Sequence, residues 1–390
     1  MFRRFPNHPT EASFLIKTSV PELRKQIGLV LSGGGARAAF QVGFIKGVLR
    51  DLDPKIQPFS VLTGSSVGSL NCYILAAKLK HGTSNALDYL SNLWLSRSYR
   101  NTFRTSFSAA FLKSLFYALL YSTKPKIWAL NPSILNPEPL AEELKSKVGP
   151  ITDQVLRESK VEALGIMTTL REKNLKGVLF VKTLMPKPEA FLKAPYETVF
   201  EDEISEAHCL ASAALPSVMP PIKIELNGQQ AYFIDGGLVQ NIPVDPAVRL
   251  GSEVVFTIDV SGRSYWKRQL GLSQDARAFW ESSPDQVTHC LSPRKHLLFQ
   301  VDFPLGEVLK NVFGKDLMKH LGPILPLFTL IKRKLGEQLA LEAATYVTIH
   351  RDFIEALIDL GFKKGRDFWN VSFKPFQDTL QLCSSQREKP

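Results

Sequence analysis

The chain has 390 residues, 44% of them apolar and 22% charged, a balance that suits a folded globular protein and excludes a disordered one. Its net charge of +11 suits an anionic partner, either nucleic acid or a phospholipid surface. With no basic run, no Cys/His finger and no RNA-binding aromatic motif, nucleic acid is set aside. Residues 1–25 are polar with three prolines and form a tail whose basic start lacks the apolar core of a secretion signal. "IGLVL" (27–31) is a buried strand, and Ala36, Ala39, Phe40, Gly43, Phe44, Gly47 and Val48 then recur at helical spacing. "FSVLTG" and "SVGSLNCYILAAKLK" repeat the strand–glycine–helix order, the rhythm of parallel α/β structure. "EALGIMTTL" and "GVLFVKTL" are two more strands, "IKIELNGQQAYFID" is a hairpin turning at Asn227-Gly228, and "SEVVFTIDV" is a buried strand. After about residue 262 the pattern is helical, and its last helix is expected to stop at Gly361.

Four scattered cysteines (Cys72, Cys209, Cys290, Cys383) form no C-x-x-C and fit reduced thiols of a cytoplasmic protein better than a disulfide framework or a zinc site. No stretch approaches the ~20 apolar residues of a membrane span, since "FSAAFLKSLFYALLY" is short and carries Lys113.

Three segments carry chemistry. In "LSGGGARAAF" the glycines lie between a strand and a helix, where a turn can aim amides at one negative oxygen, a phosphate or the oxyanion of an attacked ester. Gly33-x-Gly35-x-x-Ala38 also matches the loose dinucleotide fingerprint, but Asp51 and Asp53 follow a helix and not the strand that the fingerprint requires. In "TGSSVGSLN", Gly64-Ser65-Ser66-Val67-Gly68 is a G-x-S-x-G between strand and helix. Ser66 is its candidate nucleophile, while Ser69 falls in the first helical turn, where it can cap amides. None of the seven histidines stands out as a base: His208, His320 and His350 fall in helical stretches, and His289 and His296 flank a loop. Asp235 in "YFIDGGLVQNIP" closes the hairpin beside two glycines, and partial burial would raise its basicity; the same "DGG" is equally a turn.

In that order, "GGGARAAF", "GSSVG" and "DGG", with the flanking "ASAALPSVMPPI" and "DGGLVQNIP", resemble the patatin-like phospholipase family over roughly residues 27–260. The resemblance implies an α/β fold: a three-layer α/β/α sandwich with a mainly parallel central sheet, here with additional C-terminal helices. It implies a Ser–Asp dyad without histidine, with Ser66 as nucleophile and Asp235 as base. Gly33, Gly34, Gly35 and Arg37 fall on the oxyanion-hole motif, and Gly64, Gly68, Gly236 and Gly237 support the two turns. Ala38 stands where the family usually has glycine. The catalytic domain is expected at 26–261 and a packed helical region at 262–390. The activity implied is acyl-ester cleavage of a phospholipid or other lipid through an acyl-enzyme, without metal or cofactor; a non-catalytic lipid-binding protein of the same fold is the alternative.

Between Asp88 and Glu138 there is no acidic residue, while cations alternate with Trp94, Tyr99, Phe103, Phe107, Phe111, Phe116, Tyr117, Tyr121 and Trp128. Such a segment (89–137) suits an anionic membrane surface, with Arg97, Arg100, Arg104 and Lys113 as contacts, on a cytoplasmic protein in peripheral association with the membrane. A buried helix with a basic edge would have the same composition. "HLGPILPLFTLIKRKL", broken by prolines, is expected to pack in the core.

Overall fold

The computed structural model describes residues 27–52, 57–123, 133–171, 175–186, 189–262 and 291–373. The expected tail, Asp53, Lys124, Lys126, Trp128, His289, Cys290 and Cys383 lie outside them.

The apolar runs fold as their patterns require. β1 (Ile27–Leu31) is buried throughout and leads through a one-turn 3-10 helix into α1 (Ala38–Val48). β2 (Val61–Ser65) leads into α2 (Val67–Lys78), followed by α3 (Thr83–Leu95), α4 (Phe107–Thr123), α5 (Glu138–Lys147) and α6 (Asp153–Ser159). Next come β3 (Ala163–Leu170), β4 (Lys176–Thr183), β5 (Glu197–Phe200) and α7 (Glu206–Ser212). The hairpin is β6 (Ile222–Leu226) and β7 (Gln229–Ile234); Asn227 and Gly228, both at positive φ (52° and 79°), form the tight turn that its twist favours. α8 (Val244–Arg249) and β8 (Val254–Asp259) follow, then β9 (Lys295–Gln300), α9 (Leu305–Phe313), α10 (Leu325–Leu335), α11 (Glu337–Thr345) and α12 (Arg351–Phe368).

The sheet runs β5-β4-β3-β2-β1-β8-β9, parallel from β3 to β9, with β4 antiparallel to β3. Alternate residues of each central strand face opposite sides. Leu29, Leu62, Leu164, Ile166, Phe256 and Ile258 join a cluster with helices α1, α2, α3 and α12. Val30, Val61, Ala163, Met167 and Val255 join a second cluster with Ala247, Leu250, Phe191 and Tyr196. Both faces are therefore covered, thickly on one side and thinly on the other, and the fold is the expected three-layer α/β/α arrangement.

Two expectations fail in the C-terminal third. It is not wholly helical, because β9 extends the sheet beside β8, and His296 lies in that strand with Nε2 2.8 Å from Thr257 Oγ1. The last helix does not stop at Gly361 but continues to Phe368. Glycine there serves contact between helices. A Cβ on Gly43 would sit 1.9 Å from Ile358 O, on Gly47 2.2 Å from Phe362 O, on Gly361 2.2 Å from Phe40 O, and on Gly365 2.2 Å from Phe44 O. α1 and α12 thus cross with their backbones touching. Pro326, the second residue of α10, is tolerated there because first-turn amides have no partner inside the helix; Phe328 carries the packing.

Candidate functional site

β3 brings the two chemical segments together. β2 pairs with it as far as Ser65↔Met167, and β7, running the other way, ends at Ile234↔Thr169. The two strands meet head to head along one edge of β3 with only Thr168 between them. The next residue of each is Ser66 and Asp235, so their side chains converge. Ser66 Oγ donates to Asp235 Oδ2 at 2.6 Å, and both residues are buried.

Ser66 holds φ 51° and ψ −135°, a strained backbone for a residue with a Cβ and worth roughly 1–3 kcal/mol. Its surroundings fix it there. Its N–H donates to Ser212 Oγ (2.8 Å), whose hydroxyl donates to Met167 O (2.6 Å). Its carbonyl accepts the Ser69 N–H (3.0 Å) and hydroxyl (2.6 Å), so Ser69 donates to the elbow and does not cap an amide. The elbow also needs its glycines: a Cβ on Gly68 would lie 2.4 Å from Leu31 O, and one on Gly64 would meet Ser69 N at 2.6 Å. Ser65 points elsewhere, its buried hydroxyl within 2.9 Å of where a Cβ on Gly236 would sit.

Asp235 is held by Thr169 Oγ1, which donates to its carbonyl (2.8 Å), and by its own N–H to Ala214 O (3.0 Å). Its second carboxylate oxygen, Oδ1, accepts the Gly237 N–H at 2.7 Å. Burial pushes the carboxyl up from 3.8 to about 6, against the opposing pull of the Ser66 and Gly237 hydrogen bonds. A base of that strength is matched to neutral pH. Gly236 leaves room for the chain to pass Met167 O, which a Cβ would approach to 2.0 Å. Among the described residues no histidine bonds either member of the dyad. His208 is buried, accepts the Ser205 N–H on Nδ1 (3.0 Å), and is pushed down to about 4 by desolvation.

The glycine turn lies against Ser66: a Cβ on Gly33 would be 2.7 Å from Ser66 Cβ. Gly33 is fixed on both sides, its N–H donating to Asn241 O (3.2 Å) and its carbonyl accepting Asn241 Nδ2 (3.3 Å). Ala36 N–H donates to Tyr346 O (2.8 Å). Between them the amides of Gly34 and Gly35 bond no other described residue, and Gly35 takes φ 57°. The first amides of α2 lie just beyond Ser66, likewise without an intrahelical acceptor. Arg37 ends the turn, and its side chain is fully buried against the C-terminal helices. Ala38 is already helical (φ −63°, ψ −15°), so alanine fits there without strain.

Ser212 and Asn241 were not singled out from the sequence. Asn241 lay in view in "DGGLVQNIP", but its partner Gly33 is 208 residues away. Gln41 and Asn71 were also missed; they link Ser32 O, Ala38 O and Trp94 Nε1 in one buried chain beneath the turn.

The basic aromatic segment needs one correction. Arg97 is buried and ion-paired with Glu143, so it does not face a membrane. A stretch free of acid in sequence is not free of acid in space, because α5 brings Glu138 and Glu143 back onto it; Arg104 pairs with Glu138 at 2.8 Å. Arg100 is exposed, and so is Lys113, whose Nζ donates to Ser133 O (3.1 Å). Beside Lys113, Leu112, Leu115 and Phe116 are 63%, 40% and 57% exposed. Phe103 is buried, and Trp94, Tyr99 and Phe111 are half-buried. No helix of the described residues is long and apolar enough to cross a membrane.

Comparison with known proteins identifies a family. The family described as patatin-like phospholipase matches over residues 29–248, a span that holds the glycine turn, Ser66 and Asp235. No curated protein matches the sequence. Among solved structures, human GIVD cytosolic phospholipase A2 is similar at 13% identity, TM-score 0.47, over 93% of this chain and 60% of that chain. VipD from Legionella pneumophila is similar at 14% identity, TM-score 0.28, over 68% of this chain and 57% of that chain. The family match covers more than half of the sequence, and the chain belongs to the patatin-like phospholipase family.

Proposed function

We propose that the protein is a lipid acyl hydrolase of the phospholipase A or lysophospholipase type, working through Ser66 and Asp235. The observation that carries this reading is the 2.6 Å hydrogen bond from Ser66 Oγ to a buried carboxylate whose basicity burial has raised. Ser66 Oγ attacks the acyl carbonyl carbon of a lipid ester while its proton passes to Asp235 Oδ2. The free amides of Gly34 and Gly35, with the first turn of α2, hold the oxyanion; one such donor is worth about 3 kcal/mol. Collapse of the tetrahedral species expels the alcohol, which takes the proton from Asp235. Water, deprotonated by the same carboxylate, then attacks the acyl-enzyme, and Ser66 Oγ leaves with the proton that Asp235 returns, releasing the fatty acid. The cycle assigns no step to a metal or cofactor. The exposed apolar residues of α4, with Lys113 among them and Arg100 exposed earlier in the same segment, support work at an anionic membrane surface.

A fluorophosphonate probe tests the assignment. It is expected to label the wild type at Ser66 and to leave Ser66→Ala unlabelled. Both Ser66→Ala and Asp235→Asn are expected to lose turnover of a soluble ester by at least about 10³-fold with the fold retained. Wild-type turnover in folded Ser66→Ala would end the proposal.

A further inference from the structure

The glycine turn is fixed by Asn241 on one side and, on the other, by a segment about 300 residues further along the chain and outside the family match. Arg37 is fully buried, yet it follows the turn by only two residues. Its Nε donates to Thr345 Oγ1 (2.6 Å) and its Nη1 to Ser261 O (3.3 Å); Nη2 donates to Glu342 O (2.9 Å) and Oε2 (2.5 Å). The guanidinium carbon stands 4.0 Å from the centre of the Tyr346 ring. The other Glu342 oxygen accepts the Gly306 N–H (2.6 Å), and the Tyr346 hydroxyl donates to the same Ser261 carbonyl (2.6 Å). Tyr346 O, which accepts from Ala36, lies where a Cβ on Gly35 would be 2.0 Å away.

A buried ion pair is a poor source of stability, since apolar residues of similar volume do as well or better. It is a good source of fixed geometry, because each donor and acceptor has one place to be. Here that geometry belongs to the peptide units on either side of the free Gly34 and Gly35 amides. We infer that Arg37, Glu342, Thr345 and Tyr346 form a positioning assembly that sets those amides against the developing oxyanion. Through it the C-terminal helices govern turnover without touching substrate. The inference rests on the acyl-transfer reading above.

Three proteins test it: wild type, the double variant Arg37→Met/Glu342→Leu, which removes both charges at nearly constant volume, and Arg37→Lys, which keeps the charge and loses the fork. Thermal melting, kcat and KM on a soluble ester, and the rate of fluorophosphonate labelling are read for each. The double variant is expected to melt within a few degrees of wild type, with KM within about twofold and kcat lower by roughly 30- to 100-fold, the cost of misplaced groups. Labelling should slow by the same factor, because the phosphoryl oxygen occupies the same amides. Arg37→Lys should lose about tenfold in kcat, and it carries the test if the double variant does not fold. Wild-type kcat in a folded variant, or a loss equal to the unfolded fraction, overturns the inference. An unlabelled wild type removes the dyad and this inference together; a labelled wild type with unaffected variants removes this inference alone.

Discussion

At the scale of single residues, Asp235 has two opposed obligations. As the base of the proposed mechanism it must be ionised, and its buried setting disfavours ionisation. With the folded carboxyl near 6 and the unfolded one near 3.8, kcat/KM is expected to fall about tenfold per pH unit below 6, as the base takes up its proton. Stability moves the other way. The folded state binds this proton more tightly than the unfolded chain, so the contribution is most favourable below about pH 4 and is lost as pH rises through 6. Two units correspond to about 3 kcal/mol. Asp235→Asn is therefore expected to melt above wild type at pH 7.5, with the gap closing toward pH 4. Melting curves of both proteins across that range check it, and a gap that does not narrow in acid counts against a strained carboxylate. Ser66 and Asp235 were legible as candidates because their motifs are local. The contacts of Asn241, Ser212 and Arg37 were not, because each takes its meaning from a partner far away in sequence.

At the scale of elements, α4 is the one whose exterior contradicts its composition. Leu112, Leu115 and Phe116 follow helical spacing and face outward. Inserting such a side chain into an apolar phase yields roughly 1.5–3 kcal/mol. Leu112→Ser/Phe116→Ser is expected to weaken binding to vesicles containing phosphatidylglycerol by more than tenfold, with turnover of a soluble ester unchanged. Arg97→Glu, which sets a buried acid against the half-buried Glu143, should instead lower the melting temperature. Vesicle binding unchanged in the serine variant would remove α4 from the proposal. Strands β1 to β4, the hairpin and β8 were legible because burial on both faces, or a turn demanding positive φ, leaves a mark in composition. β9 left none. It lies at the sheet edge as "KHLLFQ", with Leu297 its one buried apolar residue, so neither an apolar run nor a clean alternation was present to read.

At the scale of the whole molecule, the C-terminal third completes the body that the first third begins. α12 packs on α1 through four glycines, and α1 is the helix that the amide-bearing turn opens. Gly361 looked like a helix terminator because glycine is a poor helix former by about 1 kcal/mol. That preference would make Gly361→Ala stabilising on a free surface. Against Phe40 O at 2.2 Å the clash outweighs it, and overpacking of this kind costs about 1–3 kcal/mol. The substitution is expected to lower the melting temperature by several degrees, and a rise would show that the helices separate freely. The meeting of β2 and β7 over Thr168 has an effect in time as well as in space. Ser66 and Asp235 are 169 residues apart in the chain, and the residues gripping the neighbouring turn come later still. On the proposed mechanism the serine emerges during synthesis long before the carboxylate that would activate it, so the nascent polypeptide is expected to stay harmless to nearby bilayers until the later segments have followed.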